Sequence, residues 1–426
     1  MAETEARDVC GLVDHLFRHS AGRIVSSLTR VFGAADLELV EDAVQEALEK
    51  ALKHWPFRGI PENPGGWLFA VARNAALDRV RRRTRHADAS DQVVALMEVK
   101  LAHMIEPVLS REIADDQLRM MFTCCHPDIP TDARVALTLK TIGGFGVREI
   151  AHAFLAEEQT IAQRLVRAKR RIREQRIPFA IAEPEMLAER LSSVLDVLYL
   201  MFNEGYNAGD GDLVVRRDVC AEALRLVEII VAHPETGRPE THALAALFCF
   251  QAARFPARQG PSGDLLLLSE QDRSSWDGAL IERGARHMEC AAAGDILTSF
   301  HLEAGVAACH AVAPSFEETD WRAILRFYDQ LVQLADSPIF TLNRSVAVAM
   351  IEGPAAGLAV LDGIVNHPAL ARYYLLPATR GEFYRRLDEP GEAGRCFEDA
   401  LRNTKSAPVR RHLEQRIAAL AAMDES

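Results

Sequence analysis

Nothing in this 426-residue sequence spells out an enzyme. HExxH, GxSxG, GxxxxGK[ST] and GxGxxG are all missing, so zinc peptidase, serine hydrolase, P-loop and dinucleotide chemistry lack the residues that carry them. Histidines such as His242, His287 and His310 stand alone in sequence and fit core or surface positions better than a catalytic set. The eight cysteines, at 10, 124, 125, 220, 249, 290, 309 and 396, include no C-x-x-C pair. Free buried thiols are therefore expected rather than disulfides or zinc. Cys124-Cys125-His126 lacks ligand spacing, because adjacent helical cysteines point in different directions. No catalytic residue, cofactor or metal is expected. No apolar run reaches the roughly 18 residues of a membrane span. The acidic start Met1-Ala2-Glu3-Thr4-Glu5 is not followed by an apolar segment, so no secretory signal is visible and a cytoplasmic location is expected. Aromatics make up only 7% of the chain and alternating β-branched runs are scarce, while alanine and leucine are plentiful. That balance predicts an all-α protein, and its length suggests about two to four domains.

The net charge of −12 is unevenly spread. Residues 1–177 hold 26 Lys and Arg against 25 Asp and Glu; the remainder holds 23 against 36. The near-neutral first part, with basic clusters, suits nucleic acid, and the acidic remainder does not. The strongest cluster is FGVREIAHAFLAEEQTIAQRLVRAKRRIREQR (145–176). Val147, Ile150, Ala151 and Phe154 share one helical face, Leu155-Ala156-Glu157 makes a turn, and a second helix runs from Glu158 to about Arg173. Its apolar stripe, Ile161, Leu165, Ala168 and Ile172, turns Gln159, Thr160, Gln163, Arg164 and Arg167 outward. Lys169, Arg170, Arg171 and Arg173 continue the helix with phosphate-binding charge. The pattern predicts a helix-turn-helix whose second helix enters the major groove; an ordinary surface helix with a solvated basic face is the competing reading.

Upstream, residues 9–31 carry an amphipathic helical pattern (Val9, Leu12, Val13, Leu16, Phe17, Ile24, Leu28). Asp36 is placed to cap a helix from Leu37 to His54. That helix buries Val40, Ala43, Val44, Ala47, Leu48, Ala51 and Leu52 and turns Glu41, Asp42, Gln45, Glu46 and Glu49 outward. Trp55-Pro56 is expected to end it. After a loop from Pro56 to Gly66, Trp67 opens a third helix with Leu68, Val71, Ala72, Ala75 and Ala76 inside. Asn74, Asp78, Arg79, Arg81, Arg82 and Arg83 provide its polar and basic groups. A loop, an aromatic and arginines form a set that holds unpaired nucleotides; alternatively Trp67 and Phe69 are simply core. Residues 86–112 read as a linker. A second unit, 113–178, begins with Leu118, Met121 and Phe122. Pro127 and Pro130 interrupt it, Thr131 or Asp132 caps a helix through Val135, Leu137 and Leu139, and Gly143-Gly144 ends that helix.

Beyond Pro178 and Pro184, residues 185–426 read as successive helices. An echo at an offset of 36 aligns Arg344 with Arg380, Ile351 with Leu387, Pro354 with Pro390, Leu361 with Phe397 and Val365 with Leu401. A period of about 34 residues suits stacked helix pairs of tetratricopeptide type. LYLMFNEGYNAGDGD (198–212) departs from that pattern. Its Gly209-Asp210-Gly211-Asp212 lacks EF-hand spacing and is expected to be a structural turn after Asn203, Glu204 and Tyr206.

In this order the units resemble a bacterial RNA polymerase sigma factor of the extracytoplasmic-function type. DAVQEALEKAL (42–52) looks like the conserved region-two helix that grips the clamp of the polymerase. NPGGWLFAVARNAALDRVRRR (63–83) looks like the helix that opens and reads the −10 element, and residues 131–174 look like region four, which reads the −35 element. The resemblance covers residues 8–177. It implies a region-two bundle at 8–85, a linker at 86–112 and a region-four helix-turn-helix domain at 113–178. The remainder resembles the subgroup with a long tetratricopeptide-like extension (185–426), thought to regulate or support the sigma core. The implied partners are core RNA polymerase, promoter DNA and a protein or small-molecule regulator of the extension, with no membrane. Asp42, Gln45, Glu46 and Glu49 would meet polymerase. Trp67, Asn74, Asp78, Arg79, Arg82 and Arg83 would meet −10 DNA. Gln159, Thr160, Gln163, Arg164, Arg167, Lys169, Arg170 and Arg171 would meet −35 DNA. The alternative is a helical-repeat, protein-binding adaptor carrying a helix-turn-helix.

Overall fold

The computed structural model describes residues 20–85, 97, 110–153, 156–206, 210–211, 215–260, 264–335 and 337–424. Outside the described residues lie the stripe from Val9 to Phe17, Cys10, nearly all of the 86–112 linker, Phe154 and Leu155 of the helix-turn-helix, and Gly209 and Asp212 of the turn. Among the described residues the regular elements are helices except for one short pair of strands, as composition predicts. Its contacts fall into two compact units, Met1–Met201 and Phe202–Ser426.

In the first unit, α1 (20–32) precedes α2 (Leu37–Arg58) and α3 (Pro64–Arg85). The α2 stripe from Leu37 to Ala51 is buried as its spacing requires, but Leu52 stays 40% exposed. Two boundaries differ from expectation. Proline at 56 does not stop α2, which runs on to Arg58. In the last turn a proline forfeits a single backbone bond. The helix instead ends at Gly59, whose φ of 79° is in the left-handed region and whose N–H reaches Trp55 O at 3.0 Å. Likewise α3 starts at Pro64, three residues before Trp67, because Asn63 Oδ1 accepts the Gly66 N–H at 2.9 Å. Asp36 does sit at the N-cap of α2, but its carboxylate makes no cap bond. It binds Arg83 of α3 through two bonds of 2.6 and 3.1 Å instead.

The chain continues through α4 (Ser110–Cys124), α5 (Thr131–Thr141), α6 (Val147–Ala153) and α7 (Glu158–Glu174). Pro130, not Thr131 or Asp132, is the N-cap of α5, with no side-chain bond. Residues 187–201, the first part of α8 (Leu187–Tyr206), pack onto α4 and α5. Arg190 Nη2 donates to Phe122 O at 2.6 Å, Ser193 Oγ to Cys125 O at 2.8 Å, and Arg134 Nη1 to Ser193 Oγ at 2.7 Å. Leu191, Val194 and Leu198 are buried there.

The second unit holds α9 (Arg217–Ala232), α10 (Pro239–Ala253), α11 (Gly278–Ala291), α12 (Ser299–Val312), α13 (Trp321–Leu334), α14 (Pro338–Glu352), α15 (Pro354–Asp362), α16 (Leu375–Arg386), α17 (Pro390–Arg402) and α18 (Ala407–Asp424). α10 is buried almost all round, from Ala243 to Phe250, as a helix apolar on every face must be. The 36-residue echo marks two consecutive helix pairs, α14–α15 and α16–α17, with Pro354 and Pro390 both at the first position of the second helix. Leu361 and Phe397 fill matching core positions. Gly381 lets α16 approach Phe397, since a Cβ there would lie 2.7 Å from the ring. The Gly/Asp turn contributes β1 (Asp210–Gly211), which pairs in parallel with β2 (Lys405–Ser406).

Candidate nucleic-acid interface

The helix pair at 147–174 has the separation of faces that its sequence predicts. Ile161, Leu165, Ala168 and Ile172 of α7 are at most 5% exposed. Ile150 and Ala151 of α6 are buried too, and Ala156 N–H closes onto Ala151 O at 3.0 Å. On the opposite face Gln159, Thr160, Gln163, Arg167, Arg170 and Arg171 are exposed. Four cations of that face have partners: Arg170 lies 3.7 Å from Glu174 on its own helix, Arg171 Nε donates to Asp128 O at 3.2 Å, and two more are paired with side chains of other helices. Arg164 pairs with Asp132 of α5 at 2.9 Å, and Lys169 pairs with Glu41 of α2.

That second bond joins the two halves of the first unit. Glu41 also accepts the Thr141 hydroxyl at 2.8 Å. Arg30 Nε lies 3.6 Å from Asp116 Oδ2, and burial pushes the Asp116 carboxyl upward although Arg30 and Arg119 pull the other way. Gly22 touches the end of α5 so closely that a Cβ would fall 1.9 Å from Ile142 O. The segments 20–58 and 110–174 are therefore packed together within the first unit.

The acidic face of α2 divides. Asp42, Gln45 and Glu49 are exposed. Glu46 is half-buried, bound to Lys50 at 2.7 Å and to Arg79 of α3 at 2.9 Å; Lys50, with Arg79, holds its carboxyl below the usual range. On α3, Asn74, Asp78 and Arg82 are exposed. Asp78 pairs with Arg81 at 3.4 Å, Asn74 accepts from Arg73 at 3.3 Å, and Arg83 is engaged by Asp36.

Phe69 is core, at 4% exposure, but Trp67 is only half-buried. Its ring meets Trp55 edge-on, with centroids 5.5 Å apart. The two indoles, with His54, Arg58, Gly59, Ile60 and Pro61, line an open cavity of about 370 Å³. Trp55 is 3% exposed, and its Nε1–H is buried with no hydrogen-bond partner among the described residues. Phe57, beside this cavity in sequence, is 89% exposed. Trp55 and Phe57 were not among the residues expected to act. Three aromatics within the Pro56–Trp67 neighbourhood were the available signal, obscured by treating Trp55-Pro56 only as a helix stop.

In the second unit a largely apolar cavity of about 440 Å³ is lined by Leu265, Leu267, Phe316, Trp321, Val346, Met350, Tyr374, Phe383, Phe397 and Leu413. Glu382, Arg386, His412 and Arg416 also line it. No helix among the described residues is long and apolar enough to cross a membrane.

Comparison with known proteins locates two families. Residues 16–86 match sigma-70 region 2, and residues 190–292 match a family of unknown function (DUF6596). The chain is 34% identical over 413 residues to uncharacterized protein R00370 of Rhizobium meliloti (strain 1021), covering 97% of this chain and 96% of that one. It is 24% identical over 159 residues to the ECF RNA polymerase sigma factor SigM of Bacillus subtilis (strain 168), covering 37% of this chain and 89% of the relative. It is 25% identical over 146 residues to the probable ECF RNA polymerase sigma factor SigI of Mycobacterium tuberculosis (strain CDC 1551 / Oshkosh), covering 34% and 50%. No solved structure matches.

Proposed function

The chain belongs to the extracytoplasmic-function sigma factors and carries a long C-terminal extension, and from that premise we propose how its named residues divide the work of starting transcription. A sigma factor is an initiation factor, not an enzyme; its task is to recruit core RNA polymerase and open promoter DNA. The exposed Asp42, Gln45 and Glu49 offer acceptors and negative charge to a basic helical surface of the polymerase, with Glu46 held beside them by Lys50 and Arg79.

The observation that carries the DNA reading is the polarity of α7: one face buried and apolar, the other exposed and bearing Gln159, Thr160, Gln163 and Arg167. Placed in the major groove at −35, these groups read base edges, and Arg170 and Arg171 take phosphates. Lys169 and Arg164 join them after leaving Glu41 and Asp132. At −10, the Trp55–Trp67 cavity receives one flipped base of the non-template strand. The Trp55 N–H, buried and without a partner among the described residues, would become a donor for it as the base enters, and Asn74, Arg79, Arg82 and Arg83 hold the neighbouring backbone. Flipping costs about a few kcal/mol, offset by stacking of about 1–3 kcal/mol per base and by the phosphate contacts.

The second unit would regulate the first by taking up a regulator in its 440 Å³ cavity, whose mostly apolar wall and few polar groups suit a ligand site. The test of polymerase recruitment is co-elution of the full chain with core polymerase on size exclusion. Wild type should co-elute, and Asp42→Arg with Glu49→Arg should elute apart. Equal co-elution of the charge-reversed protein would remove α2 from the proposal.

A further inference from the structure

Four chemistry-bearing side chains meet in the second unit, away from the residues proposed above to meet polymerase and DNA. Glu228 comes from α9, His242 and Cys249 from α10, and His287 from α11. All lie inside the segment that matches the family of unknown function. Cys249 is fully buried and His287 is 9% exposed. One ligand atom from each of Glu228, Cys249 and His287 lies within 4.8 Å of the others.

The two edges of the His287 ring are both committed. Nε2 is 3.2 Å from Glu228 Oε1. A nitrogen lone pair facing a carboxylate at that distance requires a proton or a metal ion between them. Nδ1 is 3.0 Å from His242 Nδ1, so one proton must sit on that line. With that proton on His287, Nδ1–H donates to His242 and the Nε2 lone pair is free for a cation. This is how a metal-ligating histidine is ordinarily held by a second residue behind it.

We propose that Glu228, Cys249 and His287 form a three-ligand site for a divalent cation of the zinc type. The set offers one imidazole nitrogen, one sulfur and one carboxylate oxygen, which suits a borderline-soft ion and is unlike the all-oxygen sets of calcium or magnesium. Three protein ligands leave a fourth position for water. Binding forms a metal–sulfur bond and sends the Cys249 Sγ–H proton to solvent, with no change of oxidation state.

A cationic group already stands at this place. Arg283 Nε donates to Cys249 Sγ at 3.4 Å and lies 3.4 Å from Glu228 Oε1. Its side chain is 38% exposed and can turn out to water. Arg283 is thus the competitor that the metal displaces.

The experiment titrates the reduced, metal-stripped full chain with Co²⁺ and then Zn²⁺, followed by absorbance. One equivalent of Co²⁺ should raise a thiolate-to-cobalt charge-transfer band that one equivalent of Zn²⁺ removes. Cys249→Ser, nearly isosteric and checked for helicity by circular dichroism, should lack the band. His287→Gln should bind at least tenfold more weakly, and Arg283→Gln more tightly than wild type. The proposal is overturned by no band at one equivalent, or by the same band in Cys249→Ser, which would place the cobalt on another of the chain's cysteines. Unchanged or weaker binding by Arg283→Gln would remove the displacement step.

Discussion

Replacing Glu41 by glutamine isolates the bond between α2 and the DNA-reading helix. Glu41 and Lys169 are 12% and 20% exposed, so their pair is neither a surface ion pair nor a fully buried one. Exposed pairs contribute about 0–1 kcal/mol, and breaking a buried pair costs about 3–5 kcal/mol. Glutamine still accepts the Thr141 hydroxyl, so only the charge is lost. A penalty of about 1–2 kcal/mol is expected, which lowers the ratio of packed to released Lys169 by about 5- to 30-fold. Freed, Lys169 gains a phosphate. Anisotropy on a duplex that the full chain selects from a random pool should show Glu41→Gln binding several-fold more tightly, with a salt slope steeper by about one unit. Glu38→Gln controls for the general loss of negative charge, because Glu38 is exposed on the same helix. Equal gains from both variants, or none from Glu41→Gln, would refute the idea that the ion pair withholds Lys169 from DNA.

Other perturbations separate the remaining parts. Trp55→Phe keeps the ring contact with Trp67 but removes the unpartnered N–H, so permanganate reactivity at the −10 element should fall by roughly tenfold while duplex binding holds; equal opening would deny Trp55 a role. Leu165→Ala should cost about 2–5 kcal/mol in urea unfolding, because the side chain is 5% exposed between α7 and its neighbours. Burial alone raises the Glu204 carboxyl. A raised folded-state value gives stability that is present below the unfolded value of about 4.3 and lost as pH rises through the folded one. Glu204→Gln should therefore be more stable than wild type at pH 7, with the gap closing as pH falls; a constant gap would contradict the sign. Ala378→Trp, which fills the apolar cavity of the second unit, should alter promoter output without unfolding the chain, and unchanged output would speak against regulation through that cavity.

What could be read in advance follows from the range of the forces involved. Helical periodicity is local, so the α7 stripe of Ile161, Leu165, Ala168 and Ile172 and the inner face of α2 up to Ala51, though not Leu52, were legible. The Pro354/Pro390 repeat was legible for the same reason. Ends of helices were harder, because a cap is decided by one bond: Asn63 to Gly66 moved the start of α3, and Gly59 rather than Pro56 set the end of α2. Partners distant in sequence left no local trace. Glu41 looked like one more member of a solvated acidic face until Lys169 was found on it. His242 and His287, 45 residues apart, looked isolated and are 3.0 Å from each other. The cavity between Trp55 and Trp67 needed both the end of one helix and the start of the next.

The most direct measurement is run-off transcription by purified core polymerase on sheared genomic DNA, with the full chain and with Arg167→Ala. Discrete products should appear only when the full chain is added, sharing upstream sequence at −35 and −10, and should fade by roughly tenfold with Arg167→Ala, the scale of losing one base or phosphate contact. The absence of any discrete product, or products that do not depend on Arg167, would contradict promoter reading by the exposed face of α7.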